Sequence, residues 1–350
     1  MNLLQRATLA ALIALFVSML VIALASSEPL RALQALYLGA LPELHWSADK
    51  GLELRRLARF GVVIEDTVTL TLLGLAVLCG FRARQFSMGA DGQLFLSALM
   101  ATCISVQLAS WGLWSLPAAA LAAVAVGFAW GYLPGLLKAR FDANEIVTTL
   151  MLNLIALQIY RYVITYVFND ATVGFVATPL IPEQAALAPI MARSHVTVLV
   201  LLVPLAAFFA WWLMERTTVG YEISTVGDSP AFARQAGIPV ARAIALSMAI
   251  GGAFAGLAGL HMSNALLRRM PVDLNPGLGF EGLMIALLAR NDPRWVPVAA
   301  FLYAYIKAGG QVMERTTDVS RELVLVIQAV VVLFVVSRHL VPTASAKAAP

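Results

Sequence analysis

Apolar residues in this chain come in long uninterrupted runs, not in the strict alternation of a half-buried strand or the stripe of a soluble helix. Runs long enough to cross a hydrocarbon core of roughly 30 Å occupy about residues 7–25, 62–80, 86–108, 112–137, 144–168, 195–214, 240–262, 295–311 and 322–340. A tenth, about 279–290, is too short for a perpendicular crossing unless its neighbours extend it. Only helices or closed barrels satisfy their backbone in lipid, and runs of this length are helical. The pattern therefore predicts an all-α fold, a polytopic membrane helix bundle of about ten transmembrane segments with discontinuous helices and inverted repeats. The first run follows Arg6 and exceeds an ordinary signal-peptide core, so it reads as an uncleaved span.

Three regions follow from the same pattern. With the N-terminus taken as inside, residues 1–60 hold the first span and an amphipathic segment on the outer, periplasmic side. There LRALQALYLGAL places apolar residues on one helical face, HWSADKG is a polar turn, and LELRRLARF reads as charged and helix-like. Such a segment is expected to lie along the membrane surface and pack on the spans. Residues 61–340 form the main transmembrane domain, with a polar loop at 215–240, and residues 341–350 read as a flexible tail.

Composition narrows the function classes. The chain is 60% hydrophobic and 13% charged, against about 45–50% and about 25% for soluble domains. Its 24 Lys and Arg offset 20 Asp and Glu to a net +4 spread along the chain, which leaves no basic face for nucleic acid and makes membrane lipid the bulk partner. Cys79 and Cys103 lie in apolar runs and read as small hydrophobes, and the four histidines form no ligand pattern, so no metal site is expected. No GxSxG, Walker A or paired-carboxylate signature suggests an enzyme. Counting basic residues over ten crossings gives about twelve on one side and about ten on the other, so charge alone leaves the orientation open.

Two local patterns carry more. Gly89-Ala90-Asp91-Gly92 precedes QLFLSAL, and Gly279-Phe280-Glu281-Gly282 precedes LMIALL. Each is glycine, any residue, acid, glycine, then a short apolar helix, and an odd number of crossings separates the two. Interrupted helices related in this way build pathways near the midplane of many transporters. Asp91 and Glu281 could cap the exposed N–H groups of the helix starts or contact a polar solute. Glu145, Thr148, Thr149, Asn153 and Gln158 form a polar stripe that could line a path or hydrogen-bond between helices. Gly251, Gly252, Ala255, Gly256 and Gly259 permit close helix packing.

In the loop RTTVGYEISTVGDSPAFARQAGIPVARA, Asp228 or Ser229 can cap a helix, Pro230 fits its first turn, Ala231 to Ala236 give about two turns, and Gly237 with Pro239 stops it. A helix this short needs a supporting surface. It could be a coupling helix that docks on a separate motor subunit, or a structured loop without a partner.

The stretches TTVGYEISTVGDSPAFARQAGI, GFRARQFSMGADGQLFLSALMA, ANEIVTTLMLNLIA and GFEGLMIALLARNDP together resemble the integral-membrane permeases of ABC importers for nucleosides, simple sugars and branched-chain amino acids, over about residues 60–340. The FxxGAxGQ element at Phe86–Gln93 and the NExxTTxMLN element at Asn144–Asn153 are most similar to the nucleoside and simple-sugar branch. Ser87, Met88 and Asp91 depart from that branch's usual FNIGAEGQ. The resemblance implies a multi-pass permease of the bacterial inner membrane that binds no cofactor itself, ATP and Mg being held by a cytoplasmic ATP-binding partner subunit. It further implies a periplasmic or lipoprotein substrate-binding protein and a second permease, related or identical. Gly220, Tyr221, Gly227, Asp228, Ser229, Pro230, Ala233, Arg234 and Gly237 would couple to the ATPase. Phe86, Asp91, Gln93, Asn153 and Glu281 are the candidates for the substrate pathway, Phe86 by stacking and Asn153 or Gln93 by hydrogen bonding. A stand-alone ion-gradient-driven carrier is the competing expectation.

Overall fold

In a computed structural model, residues 27–47, 51–55, 57–191, 194–274, 276–320, 322–326 and 329 are described. The first apolar run, most of the last and the C-terminal tail lie outside them. The chain divides into two compact units, Met1–Val63 with Leu302–Pro350, and Ile64–Phe301.

In the first unit, α1 (Pro29–Leu38) starts on a proline, whose fixed φ suits a first turn. Its Ala32 and Leu36 are buried with Met313, Val319 and Val324. Met313 belongs to α11 (Val296–Thr316), so the amphipathic face packs on a second, longer helix as its periodicity requires. Ser27 donates from its N–H and its hydroxyl to Asp318, at 2.8 and 2.7 Å. The helix-like reading of LELRRLARF is corrected here. Strand β1 (Glu43–Ser47) pairs antiparallel with β2 (Gly51–Arg55), Leu44 opposite Leu54 and Trp46 opposite Leu52, and a helix begins only at Leu57. ELHWS and GLELR alternate polar and apolar residues with period two, and that short-range alternation decides the structure over the arginine-rich helical spacing that follows it.

The second unit is a helix bundle. α2 (Leu57–Arg82) enters it, followed by α3 (Ala90–Gln107), α4 (Ser115–Phe141), α5 (Glu145–Tyr162), α6 (Leu202–Arg216), α7 (Thr218–Asp228), α8 (Pro230–Gln235), α9 (Val240–His261) and α10 (Leu278–Leu288). Single π-helical turns extend α5 to Val167 and α9 to Leu267. Among the described residues five helices are long and apolar enough to cross a membrane: Leu57–Arg82, Ser115–Phe141, Glu145–Val167, Val198–Arg216 and Val240–Leu267. The apolar windows of the first and last are 78% and 72% buried, those of the other three only 17–28%. α2 and α9 are therefore the centre of the bundle, and α4, α5 and α6 turn apolar faces outward, as lipid-facing helices do.

α9 packs most extensively along α4, and a backbone approach sets that distance. A Cβ on Gly252 would lie 2.0 Å from the Gly127 carbonyl oxygen, so neither helix tolerates a side chain there. Small residues at this spacing let backbones meet where lipid supplies no hydrophobic drive for association. Ala101, Ala119, Ala123 and Leu260 continue the contact on to α3.

Candidate functional site

The site grows from the break between α2 and α3. After Arg82 the chain turns through Arg84, whose φ of 53° is left-handed, and Gln85 N–H returns to the Gly80 carbonyl at 3.0 Å. The stretch up to Gly89 is irregular, so its polar backbone groups need partners inside the protein. α5 supplies them. Asn144 caps that helix, its Oδ1 accepting from the N–H groups of Ile146 and Val147 at 3.0 and 3.3 Å. Thr149 and Asn153, one turn apart on one face, then reach the break. Met88 N–H donates to Thr149 Oγ1 at 3.2 Å, Asn153 Nδ2 donates to the Met88 carbonyl at 2.6 Å, and Gly92 N–H donates to Asn153 Oδ1 at 2.9 Å. The spacing of NExxTTxMLN is thereby explained: a cap, then two side chains that clamp the start of α3.

Asp91 lies in the first turn of α3 but serves another helix. Its Oδ1 accepts from Gly279 N–H at 2.7 Å and Gly277 N–H at 3.4 Å, the start of α10. The two glycine-acid-glycine motifs thus meet directly, the carboxylate of the first at the positive end of the helix carrying the second. Gln93 is buried two residues further into α3, where a Cβ on Gly131 of α4 would lie 3.1 Å from its Nε2. Glu281 is half-buried in the first turn of α10. Phe86 stands apart, its ring 5.3 Å from that of Phe81 at the end of α2. The structure accordingly brings Asp91, Gln93 and Asn153 together around the α3 start and places Phe86 in an aromatic pair.

Sequence reasoning missed the supports around this junction. Glu65 accepts from His195 N–H at 2.6 Å, Thr69 Oγ1 lies 3.0 Å from His261 Nδ1, and Tyr160 donates its hydroxyl proton to the Pro271 carbonyl at 2.6 Å. All join positions more than a hundred residues apart, and no local spacing signals them. Lys138 pairs with Asp142 at 2.9 Å and Glu145 at 3.3 Å, joining the end of α4 to the start of α5. The ammonium beside Asp142 holds that exposed carboxyl below its usual range. Among the described residues no cluster of His, Cys, Asp or Glu could hold a metal ion.

The polar loop builds a second feature. Thr217 Oγ1 caps α7 at Gly220 N–H (3.2 Å), and Ser229 Oγ caps α8 at Phe232 N–H (3.3 Å). Pro230 opens α8, and Gly237 ends it at φ 78°. Of the two expected caps Ser229 serves, and α7 is a separate helix that the sequence reading did not divide off. Tyr221, Asp228, Pro230, Arg234 and Gly237 are exposed and Ser229 half-buried, whereas Gly220, Gly227 and Ala233 are buried against the chain. Gly227 is the tightest contact, since a Cβ there would lie 2.1 Å from the Arg82 carbonyl oxygen. α7 thus rests directly on the last turn of α2, immediately ahead of the break that Asn153 and Thr149 hold.

Residues 62–336 match the family described as branched-chain amino acid transport system / permease component. The chain belongs to this family. It is 34% identical to the guanosine ABC transporter permease protein NupP of Bacillus subtilis over 287 residues, 80% of this chain and 81% of the relative. It is 32% identical to the glucose ABC transporter permease protein TsgB13 of Haloferax volcanii, over 80% of this chain and 77% of the relative. The nucleoside ABC transporter permease protein NupB of Lactococcus lactis is 26% identical, with 82% of each chain covered. No solved structure matches. The chain is therefore an ABC permease subunit, multi-pass in the cytoplasmic membrane and not an enzyme; ATP is used by partner subunits. This permease works with an ATP-binding subunit and a substrate-binding protein, and family membership selects it over a gradient-driven carrier.

Proposed function

We propose that this permease imports a nucleoside, by alternating access driven from the loop at α7 and α8. The observation that carries the coupling is the seat of Gly227 on the Arg82 carbonyl. An ATP-binding subunit gripping the exposed Tyr221, Asp228, Pro230 and Arg234 would displace α7 and α8 as a rigid pair. The displacement would pass through Gly227 to the end of α2, along the 83–89 break to Met88, and through Asn153 and Asp91 to α5 and α10. Packed elements shift between discrete arrangements, so movement at the loop re-seats the helix starts. On this reading Asp91, Gln93, Asn153 and Glu281 belong to the moving junction, and Phe86 to the 83–89 break ahead of it. Asp91 and Asn153 act as positioning residues, each engaged with backbone. Gln93, Glu281 and Phe86 are then the side chains proposed to meet the solute, Gln93 and Glu281 by polar contact and Phe86 by stacking.

The substrate class rests on the relatives: the NupP and NupB names specify guanosine and nucleoside, and TsgB13, named for glucose, supplies the second reading. A second, related permease is part of the proposal, because NupQ of Bacillus subtilis, also named for guanosine, is 26% identical over 51% of this chain. Radiolabelled uptake in cells lacking the chain, complemented with it, tests both substrate readings. Uptake of guanosine that unlabelled uridine, but not glucose, suppresses supports a nucleoside permease. Glucose uptake without guanosine uptake replaces it with the sugar reading.

A further inference from the structure

A polar cleft of about 430 Å³ opens beside α7, lined by Phe81, Arg82 and Arg84 from the end of α2, Glu215 from α6, Ser224, Gly227 and Asp228 from α7, and Arg290 to Asp292 with Arg294 from the turn after α10. The proposed coupling role uses Gly227, Asp228 and the Arg82 carbonyl on one edge of this cleft, and assigns nothing to its guanidinium groups. Four arginines face three carboxylates there. Glu215 is taken by Arg82 at 2.9 Å, and Asp292 accepts from Arg294 N–H at 3.0 Å. Arg82 Nε, a donor, is buried and has no hydrogen-bond partner among the described residues. Arg84 and Arg294 are exposed.

The depth of the cleft is set by the helices that end at it. α2 stops at Arg82 and α6 at Arg216, so two membrane-length apolar helices end beside one basic opening, which the end of the short α10 at Leu288 and the start of α11 at Val296 complete. The ends of membrane-length helices such as α2 and α6 fall at headgroup level. Tryptophan marks the same level: the Arg294 guanidinium lies 4.8 Å and that of Arg216 5.5 Å from the Trp211 ring centre, and Trp295 is 60% exposed. Beyond them α6 presents Leu205, Phe208 and Phe209 outward. A basic opening, a tryptophan rim and an apolar outer wall in that order match a lipid with a negative headgroup and acyl chains, and basic pockets between helix ends on the cytoplasmic side are built to hold such headgroups.

The geometry points to this cleft as a binding site for the phosphate of an anionic phospholipid, held by Arg84 and Arg294 with Arg82 Nε donating from the floor. Because the site shares Gly227 and Asp228 with α7, an occupied headgroup would brace the element through which the motor acts. The site does not depend on the solute the permease carries.

The test uses the complex of permease and ATP-binding subunit, stripped of lipid in detergent and re-supplied with phosphatidylglycerol or phosphatidylcholine, with retained lipid counted by native mass spectrometry. Phosphatidylglycerol is expected to be retained in preference. Arg84→Gln with Arg294→Gln should cut that preference roughly thirtyfold, two surface cations' worth of attraction. Arg84→Lys with Arg294→Lys should restore it, which recovery from misfolding would not do. Glycerol 3-phosphate should not displace the lipid. The assignment is overturned by equal retention of the two lipids, by a glutamine variant that keeps the preference, or by displacement with glycerol 3-phosphate, which makes the ligand a soluble phosphate. Loss of the ATP-binding subunit from the glutamine variant with the lipid preference intact also overturns it and makes the cleft a protein docking face. Wild-type retention of the ATP-binding subunit is read in the same spectra, so failure of the lipid site is distinguished from failure of the importer reading.

Discussion

Asp91 shows what a single side chain does at the junction. It accepts two N–H groups that α10 cannot satisfy internally, in a place where water is scarce. Replacing it by alanine removes a cap and orphans buried donors, a loss of about 1–3 kcal/mol. Asparagine keeps an acceptor oxygen of the same reach and gives up only the charge–dipole part, about 0.3–1 kcal/mol. In detergent-purified protein, Asp91→Ala should melt several degrees below wild type and Asp91→Asn close to it, with uptake falling in the same order. If the asparagine variant melts normally yet transports nothing, the carboxylate contacts the solute or a proton, and the positioning role fails. The same residue marks the limit of sequence reasoning. That Asp91 caps a helix was among the readings open from Gly-Ala-Asp-Gly, but the helix in question begins 187 residues later, at Leu278, and only the fold joins them. Thr149 and Asn153 were legible as a polar face one turn apart; what that face touches was not.

At the scale of elements, α7 and α8 present two kinds of residue, and the distinction gives a paired test. Arg234 is exposed, so Arg234→Glu leaves the fold intact and alters only what an outside partner meets. Gly227 is buried on the Arg82 carbonyl, so Gly227→Ala forces α7 away from α2 while the outer face keeps its chemistry. With the complex in proteoliposomes, Arg234→Glu is expected to weaken capture of the ATP-binding subunit and lower uptake together. Gly227→Ala is expected to keep the subunit bound and hydrolysing ATP while uptake falls at least severalfold. Normal uptake in Gly227→Ala would remove the seat from the coupling route. The stop and start signals of α8 were readable because Ser229, Pro230, Gly237 and Pro239 each act locally. The hairpin at β1 and β2 was misread although its period-two alternation is present, because the charged LELRRLARF stretch that contains most of β2 runs on into the first turn of α2.

For the whole molecule, long apolar runs were enough to specify a membrane bundle, since nothing else buries such a composition. They did not distinguish centre from rim. α2 and α4 read alike as hydrophobic segments, yet the apolar window of one is 78% buried and that of the other 22%, and the difference lies in which residues face outward. Nor did charge orient the chain, because half the cations on the opposing side crowd into residues 26–60. The windows of α4, α5 and α6, only 17–28% buried, leave apolar surface for lipid or for a companion permease, and Gln158 stands exposed among Leu154, Ile155 and Ile159 on α5. An amide facing hydrocarbon is costly, whereas one facing a second protein can find a partner. Affinity purification of the tagged chain from its native membrane in mild detergent should therefore bring down an ATP-binding subunit together with a second, non-identical permease. Gln158→Leu should leave capture of the ATP-binding subunit unchanged if α5 meets only lipid, and should reduce capture of the companion if the amide is buried between the two. Recovery of an identical copy alone would make the transporter a homodimer and discard the paired arrangement proposed from NupP and NupQ. Recovery of the companion in full with Gln158→Leu would move the contact to another helix.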